Sequence, residues 1–338
     1  MILYDPALKF NLSDFGISIP IFDTRASKTF AHLKNHKTLG SLSNQWHRYP
    51  GPESLNREDL LRVHGADYVD RLLSDHVADE LIKIYELVDD AGRYHRYDPA
   101  AARLPLAELF KQILARAAGS LQCCRLALQN GFCFNFGGGM HHAQFDHGKG
   151  FCPVNDIVIA IRRLQAEGLI RTAWVIDVDA HKGDGTAALT RGDATITTLS
   201  IHLGAGWPLD EAPVAADGTP NPSFIPSDID VPVFPGEDAQ YLPRLAAALE
   251  ILDATARPDL AVVVSGADPY EKDALPSTAG LRLTLDQLLD RDQMVYNFLR
   301  KRSIPSAYLM AGGYGHEVWR VYAQFLEWAL SGIYGAAK

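Results

Sequence analysis

Short apolar runs of β type punctuate this chain, and each gives way to glycine or aspartate and then to chemically capable polar residues. Phe132-Cys133-Phe134-Asn135-Phe136 leads into Gly137-Gly138-Gly139-Met140-His141-His142, and Ala173-Trp174-Val175-Ile176 leads into Asp177-Val178-Asp179-Ala180-His181-Lys182-Gly183-Asp184-Gly185-Thr186. Ala261-Val262-Val263-Val264-Ser265 leads into Gly266-Ala267-Asp268, and Ala307-Tyr308-Leu309-Met310-Ala311 into Gly312-Gly313-Tyr314. Runs apolar at successive positions are those of strands buried on both faces. Between them apolar residues recur at three- and four-residue spacing, which predicts helices over 106–129, 156–167, 238–255, 284–302 and 317–330, with a further one over 58–74. Asn130-Gly131 and Gly168 supply stop signals for the first two.

Strands alternating with helices require right-handed crossovers. The expected fold is therefore α/β, a mostly parallel central sheet with helices on both faces, formed by one domain over residues 1–338. In such sheets ligands gather beyond the carboxyl ends of the strands, and all four polar clusters fall there. The segment 204–238 is rich in Pro, Gly and Asp and reads as a long surface loop that shapes a substrate mouth. Residues 1–105 show no catalytic pattern.

Composition narrows the function classes. A hydrophobic fraction of 47% over 338 residues is ample for a large core. A net charge of -9 argues against nucleic-acid binding, which needs a basic footprint. The apolar runs are too short to span a membrane, and no signal-peptide pattern opens the chain. The four cysteines, Cys123, Cys124, Cys133 and Cys152, form no C-x-x-C pair; they read as buried thiols of a reduced, cytoplasmic protein.

The candidate chemistry centres on residues 177–186. Asp177, Asp179 and His181 fall at every second residue, so a continuing extended chain would project all three to one face. Carboxylates and an imidazole at the end of a buried strand carry a desolvation cost that a divalent cation would relieve. A calcium loop is a poor match, because its twelfth position is Ala188 rather than glutamate and a strand precedes it. A helix start capped by Asp184 and Thr186 accounts for those residues alone. Asp268, after a separate strand, is a plausible third ligand beside Asp179 and His181; such a donor set suits Zn(II) and would accept Fe(II) or Co(II). A satisfied polar network without metal is the competing reading. The triple glycine lets the backbone turn His141 and His142 toward one site, with Asp177 and Asp184 available to anchor their rings. A merely structural or exposed pair is the alternative. His64 and His202 read as structural, and His32, His36, His47, His76, His95, His147 and His316 as mostly surface residues.

At these residues the sequence resembles the histone deacetylase superfamily. The matching motifs are Gly138-Gly139-Met140-His141-His142-Ala143, Gly150-Phe151-Cys152-Pro153-Val154-Asn155-Asp156, residues 177–186, Ser265-Gly266-Ala267-Asp268 and Gly312-Gly313-Tyr314, in family order. Within the superfamily the chain is most similar to the class IV group and its bacterial relatives, on Gly137 before the glycine pair and on Ser227-Asp228-Ile229-Asp230-Val231-Pro232 ahead of Asp238-Ala239-Gln240-Tyr241-Leu242. Asp184 departs from that pattern, which usually has asparagine there. The resemblance implies an arginase-like fold, zinc on Asp179, His181 and Asp268, His141 paired with Asp177, His142 paired with Asp184, and Tyr314 donating to the acyl carbonyl. It implies a structural potassium ion held by Asp177, Asp179, His181, Ser200 and Ile201, partly through backbone carbonyls. Gly150 and Phe151 would form one wall of an acyl-lysine tunnel and Trp207 the other. The implied activity is hydrolysis of acyl groups, acetyl or longer, from lysine in proteins or peptides. An acetylpolyamine or other small acylated amine is the alternative substrate, and a non-catalytic acyl-lysine reader is a more distant reading that an intact set of site residues disfavours.

Overall fold

The computed structural model describes residues 1–209, 213–221 and 223–335. Among these, eight strands form one all-parallel sheet: β1 Ile2–Leu3, β2 His47–Arg48, β3 Phe132–Asn135, β4 Ala173–Asp177, β5 Ile196–Leu203, β6 Ile229–Val233, β7 Leu260–Ser265 and β8 Ser306–Met310. Their order is β2-β1-β3-β8-β7-β4-β5-β6, with every neighbouring pair parallel.

Period-two side-chain alternation explains the double apolar character of the central strands. Trp174 and Ile176 of β4, Val263 of β7 and Tyr308 and Met310 of β8 enter one core. Ala173 and Val175 of β4, Val262 and Val264 of β7 and Ala307 and Leu309 of β8 enter the core on the opposite face. The Leu106–Asn130 and Asp156–Ala166 helices contribute to the second core and the Tyr241–Asp253, Leu285–Lys301 and Trp319–Tyr334 helices to the first. A third cluster, with Phe15, Tyr68, Leu81 and Phe110, gathers N-terminal helices beside Tyr314.

Most predicted helices fall close to their observed bounds. Leu106–Asn130 ends at Gly131 in the left-handed region, and Leu285–Lys301 begins with a reciprocal Thr284–Gln287 capping box. The predicted helix 238–255 is a short 3-10 turn, Asp238–Gln240, followed by the Tyr241–Asp253 helix. The predicted helix 58–74 is broken into Arg57–Leu61 and Ala66–Leu72, with Gly65 extended between them. The largest correction concerns 204–238. Ile229–Val233 is not loop but the edge strand β6, paired to β5. Its Pro232 is compatible with that place, because an edge strand leaves one backbone side unpaired. Residues 210–212 and 222 of that segment lie outside the described residues.

The strands that carry the four polar clusters, β3, β8, β7 and β4, are consecutive neighbours in the sheet. Parallel direction puts their carboxyl ends on one edge. The topology alone therefore assembles residues far apart in sequence.

Candidate metal centre and its surroundings

β4 ends at Asp177, one residue past the predicted run, and the chain then leaves the extended conformation. Asp177, Asp179 and His181 therefore do not share one strand face. Asp177 turns to His141, with Oδ2 2.6 Å from Nδ1. Asp179 and His181 meet Asp268, which follows β7; one donor atom from each of the three lies within 4.8 Å of the others. All three are almost wholly buried.

Several contacts hold this cluster. Gly312 N–H donates to Asp179 Oδ2 (2.8 Å), and Ala180 N–H donates to Asp268 Oδ1 (3.0 Å). His181 Nδ1 faces Asp268 Oδ2 at 3.1 Å, while its Nε2 lies 2.9 Å from the Ser277 hydroxyl. Ser277 thus anchors one ring nitrogen and leaves the other toward the carboxylates, the arrangement that fixes the tautomer of a metal-binding histidine. Close approach requires glycine here: a Cβ on Gly266 would stand 2.4 Å from Asp179 Oδ2, and one on Gly312 2.5 Å from Asp268 Oδ2. The electrostatics are those of a cation cradle. Burial and the charge of Asp179 raise the Asp268 carboxyl. Burial alone would lower His181, but Asp179 and Asp268 outweigh it and lift the ring to about 10. Two carboxylates forced together beside one imidazole present two oxygen donors and one nitrogen donor that fit a divalent metal.

The histidine pair is aimed by a built turn. Gly138 and Gly139 both have φ of 78°, and a Cβ on Gly138 would stand 2.0 Å from Ser120 Oγ. Asp156 Oδ1 accepts from Met140 N–H (2.7 Å) and its Oδ2 from Gly139 N–H (3.0 Å) and the Ser120 hydroxyl. The rings of His141 and His142 then lie 4.0 Å apart, each on its own carboxylate, with His142 Nδ1 2.8 Å from Asp184 Oδ1. Their environments drive them apart. For His141, burial is outweighed by Asp177 and Asp179, which raise it to about 9. For His142, burial and the charge of His141 win over Asp184 and lower it to about 3.

Asp184 itself is held below the usual carboxylate range, at about 2, because His142 and Lys149 outweigh its burial. Its Oδ2 accepts from Gln144 Nε2 (3.0 Å) and Lys149 Nζ (2.8 Å). Gln144 and Lys149 carried no signal in the sequence beyond lying between two motifs. Asp273 was likewise missed: its carboxylate accepts from Tyr314 N–H (2.7 Å) and Leu275 N–H (2.8 Å), fixing the segment that carries the tyrosine. Tyr314 is buried, and burial together with Asp268, Asp179 and Asp273 pushes its phenol well above the ordinary value, so it stays a neutral donor.

A cavity of about 280 Å³ leads to these groups, lined by Gly150, Phe151, Trp207, Leu275 and Tyr314 among others. Phe151 adopts a φ of 66° and stacks on Tyr85 at 5.7 Å. Trp207 lines the same cavity, its ring 4.5 Å from the His142 ring and 5.4 Å from that of His181. Beyond the histidines a second space of about 90 Å³ reaches Ile21, Arg25 and Met140. Of the residues implied for potassium, Asp177 and Ser200 are register partners on β4 and β5, and Asp177 Oδ1 accepts from Asp179 N–H (3.1 Å). His202 and His64 are buried as expected, and all four cysteines are free and buried. No helix among the described residues is long and apolar enough to cross a membrane.

The family profile described as histone deacetylase domain matches residues 20–330. The chain is 30% identical to an uncharacterized protein of Picosynechococcus sp. over 282 residues, covering 80% of this chain and 88% of that protein. It is 26% identical to histone deacetylase 2 of Arabidopsis thaliana, covering 82% of this chain and 66% of that protein. It is 29% identical to the acetoin utilization protein AcuC of Staphylococcus aureus, covering 80% of this chain and 67% of that protein.

Proposed function

Because the chain belongs to the histone deacetylase family, we propose that it is a zinc-dependent amidohydrolase that removes acyl groups from lysine side chains of proteins or peptides. The observation that carries this reading is the meeting of Asp179 and His181 of the cluster, both carboxylate-anchored histidines and Tyr314 at one cavity. Asp179, His181 and Asp268 would hold a divalent metal, zinc in the first instance, which would supply Lewis acidity to the acyl carbonyl and the attacking water. His142 is neutral, donates Nδ1–H to Asp184 and presents Nε2 as the base; it takes the proton from water and returns it to the departing amine. His141, anchored on Asp177, would act as an electrostatic partner for the negative charge that develops. The Tyr314 hydroxyl donates to the tetrahedral oxyanion, a contribution of about 3–4 kcal/mol for one well-placed donor. Asp177, Asp179, His181, Ser200 and Ile201 would hold potassium behind the site and stiffen the ligand segment. The four buried free thiols suit a reducing, cytoplasmic setting.

The cavity lining bears on substrate class. Its described residues include one acidic side chain, Glu86, which lies 3.3 Å from Arg96. Phe151 and Trp207 both line this cavity, which supports a lysine side chain as the group that enters it. The small inner space of about 90 Å³ favours short acyl chains. The test is a panel with zinc-loaded enzyme: acetyl-, butyryl-, octanoyl- and myristoyl-lysine peptides against acetylated polyamines. The expected order of kcat/KM places the two short acyl-lysines first. Faster turnover of a polyamine would replace the substrate assignment, and no hydrolysis with bound metal confirmed would overturn the reaction.

A further inference from the structure

One fully buried cation plays no part in the chemistry above. Arg291, in the Leu285–Lys301 helix, has no exposed surface. Its Nε and Nη2 both lie 2.8 Å from Asp292 Oδ1. Asp292, its neighbour in sequence and also buried, explains the charge but not where Nη1 is aimed. Nη1 donates to two backbone carbonyls, those of Val178 (3.1 Å) and Gly266 (2.8 Å).

The position of those carbonyls is what gives the contact meaning. The ladder between β4 and β7 ends at the pair Asp177 and Val264, with Val178 N–H to Val264 C=O (3.1 Å) as its last rung. Beyond it the two chains have no regular pairing, yet they must deliver Asp179 and Asp268 to one point. Val178 immediately precedes Asp179, and Gly266 lies two residues before Asp268. A guanidinium has a rigid, planar fork of donors and can hold two backbone segments in fixed relation where a lysine ammonium cannot. We infer that Arg291 is a positioning residue that ties the two ligand-bearing strand ends together beneath the metal cluster, so that the donor atoms are set before a metal arrives. This rests on the reading of Asp179, His181 and Asp268 as a metal site.

The test uses the full chain, Arg291→Lys, and Arg291→Met combined with Asp292→Asn. The double variant removes both buried charges, a change that folded proteins often tolerate where loss of one partner is damaging. Zinc affinity is read by competition with a chromophoric chelator, and backbone mobility by hydrogen exchange over 178–182 and 266–270 in the metal-free proteins. Both variants are expected to bind zinc about 10–100-fold more weakly and to exchange faster in both segments. Unchanged exchange there, unchanged affinity in variants of a parent that binds zinc, or loss of the fold in both variants overturns the inference. If the parent itself binds no zinc while exchange still rises in the variants, the metal reading fails and the backbone tie stands.

Discussion

Asp184→Asn puts the hydrogen-bond arithmetic of the site under direct strain. Three donors converge on the two oxygens of Asp184: His142 Nδ1–H on Oδ1, and Gln144 Nε2 and Lys149 Nζ on Oδ2. Asparagine has one oxygen. Given to His142, it leaves its own amide facing Gln144 and Lys149, donor against donor. Given to those two, it turns an N–H toward His142 Nδ1 and drives the ring proton to Nε2, the atom that must accept from water. The lost charge has its own cost. Asp184, at about 2, is ionised at neutral pH, and a carboxylate about 4 Å from an imidazolium at an effective dielectric near 20 is worth about 4 kcal/mol. Lys149 then remains, repelling the same imidazolium. We expect kcat on an acetyl-lysine peptide to fall by about 10²–10³, with KM changed little because the substrate does not touch Asp184. Adding Lys149→Met to Asp184→Asn removes the stranded cation and should restore about tenfold, while Lys149→Met alone should matter far less. The cycle reads that coupling directly. A variant within threefold of the parent kcat at equal metal content would refute the role of Asp184. A large loss that Lys149→Met does not relieve would refute the charge argument and leave the tautomer as the cause.

Tyr314→Phe should lower kcat by about 10²–10³ and leave the midpoint of thermal unfolding within a degree or two; equal activity in steady-state assays would remove the tyrosine from the mechanism. His64 supplies a pH test. Its Nδ1 meets the Gln144 carbonyl (2.8 Å), its Nε2 accepts from Asn155 N–H (3.0 Å), and burial lowers it to about 4. A folded value below the unfolded one of about 6.5 means the neutral form is favoured by the fold. The corresponding stability is complete above pH 6.5 and is lost as pH falls toward 4, by about 3 kcal/mol in all. Long-range nitrogen NMR of the ring should show a neutral Nδ1–H tautomer at pH 5.5, and protonation at or above pH 6.5 would contradict the assignment.

How far the sequence carries the fold depends on the strand. β3, β4, β7 and β8 are legible because burial on both faces makes them continuous apolar runs. β5 escapes notice because Thr197, Thr198, Ser200 and His202 interrupt it, although Leu199, Ile201 and Leu203 enter the core. β6 is hidden by the Pro- and Gly-rich chain around it, and β1 and β2 are two residues each. The site divides in the same way. His141, His142, Asp179, His181, Asp268 and Tyr314 stand in local patterns, and the fold brings them together. Gln144, Lys149, Asp273, Ser277 and Arg291 act across distances in sequence that no local spacing encodes. Even the expected common face of Asp177, Asp179 and His181 proved to be a turn, because β4 stops at the first of them.

The neighbouring places of β4 and β7 also govern the order of events in folding. His181 and Asp268 are 87 residues apart in the chain and meet only when those strands lie side by side. No short fragment contains the donor set, so a metal cannot nucleate this protein as it does a zinc finger, where a local loop and its ion fold together. A metal ion held by this set would find its site only on a sheet already formed. It should leave the refolding rate of the metal-free chain almost unchanged and act by slowing unfolding, so that removing it gives a folded protein of shorter lifetime rather than a disordered one.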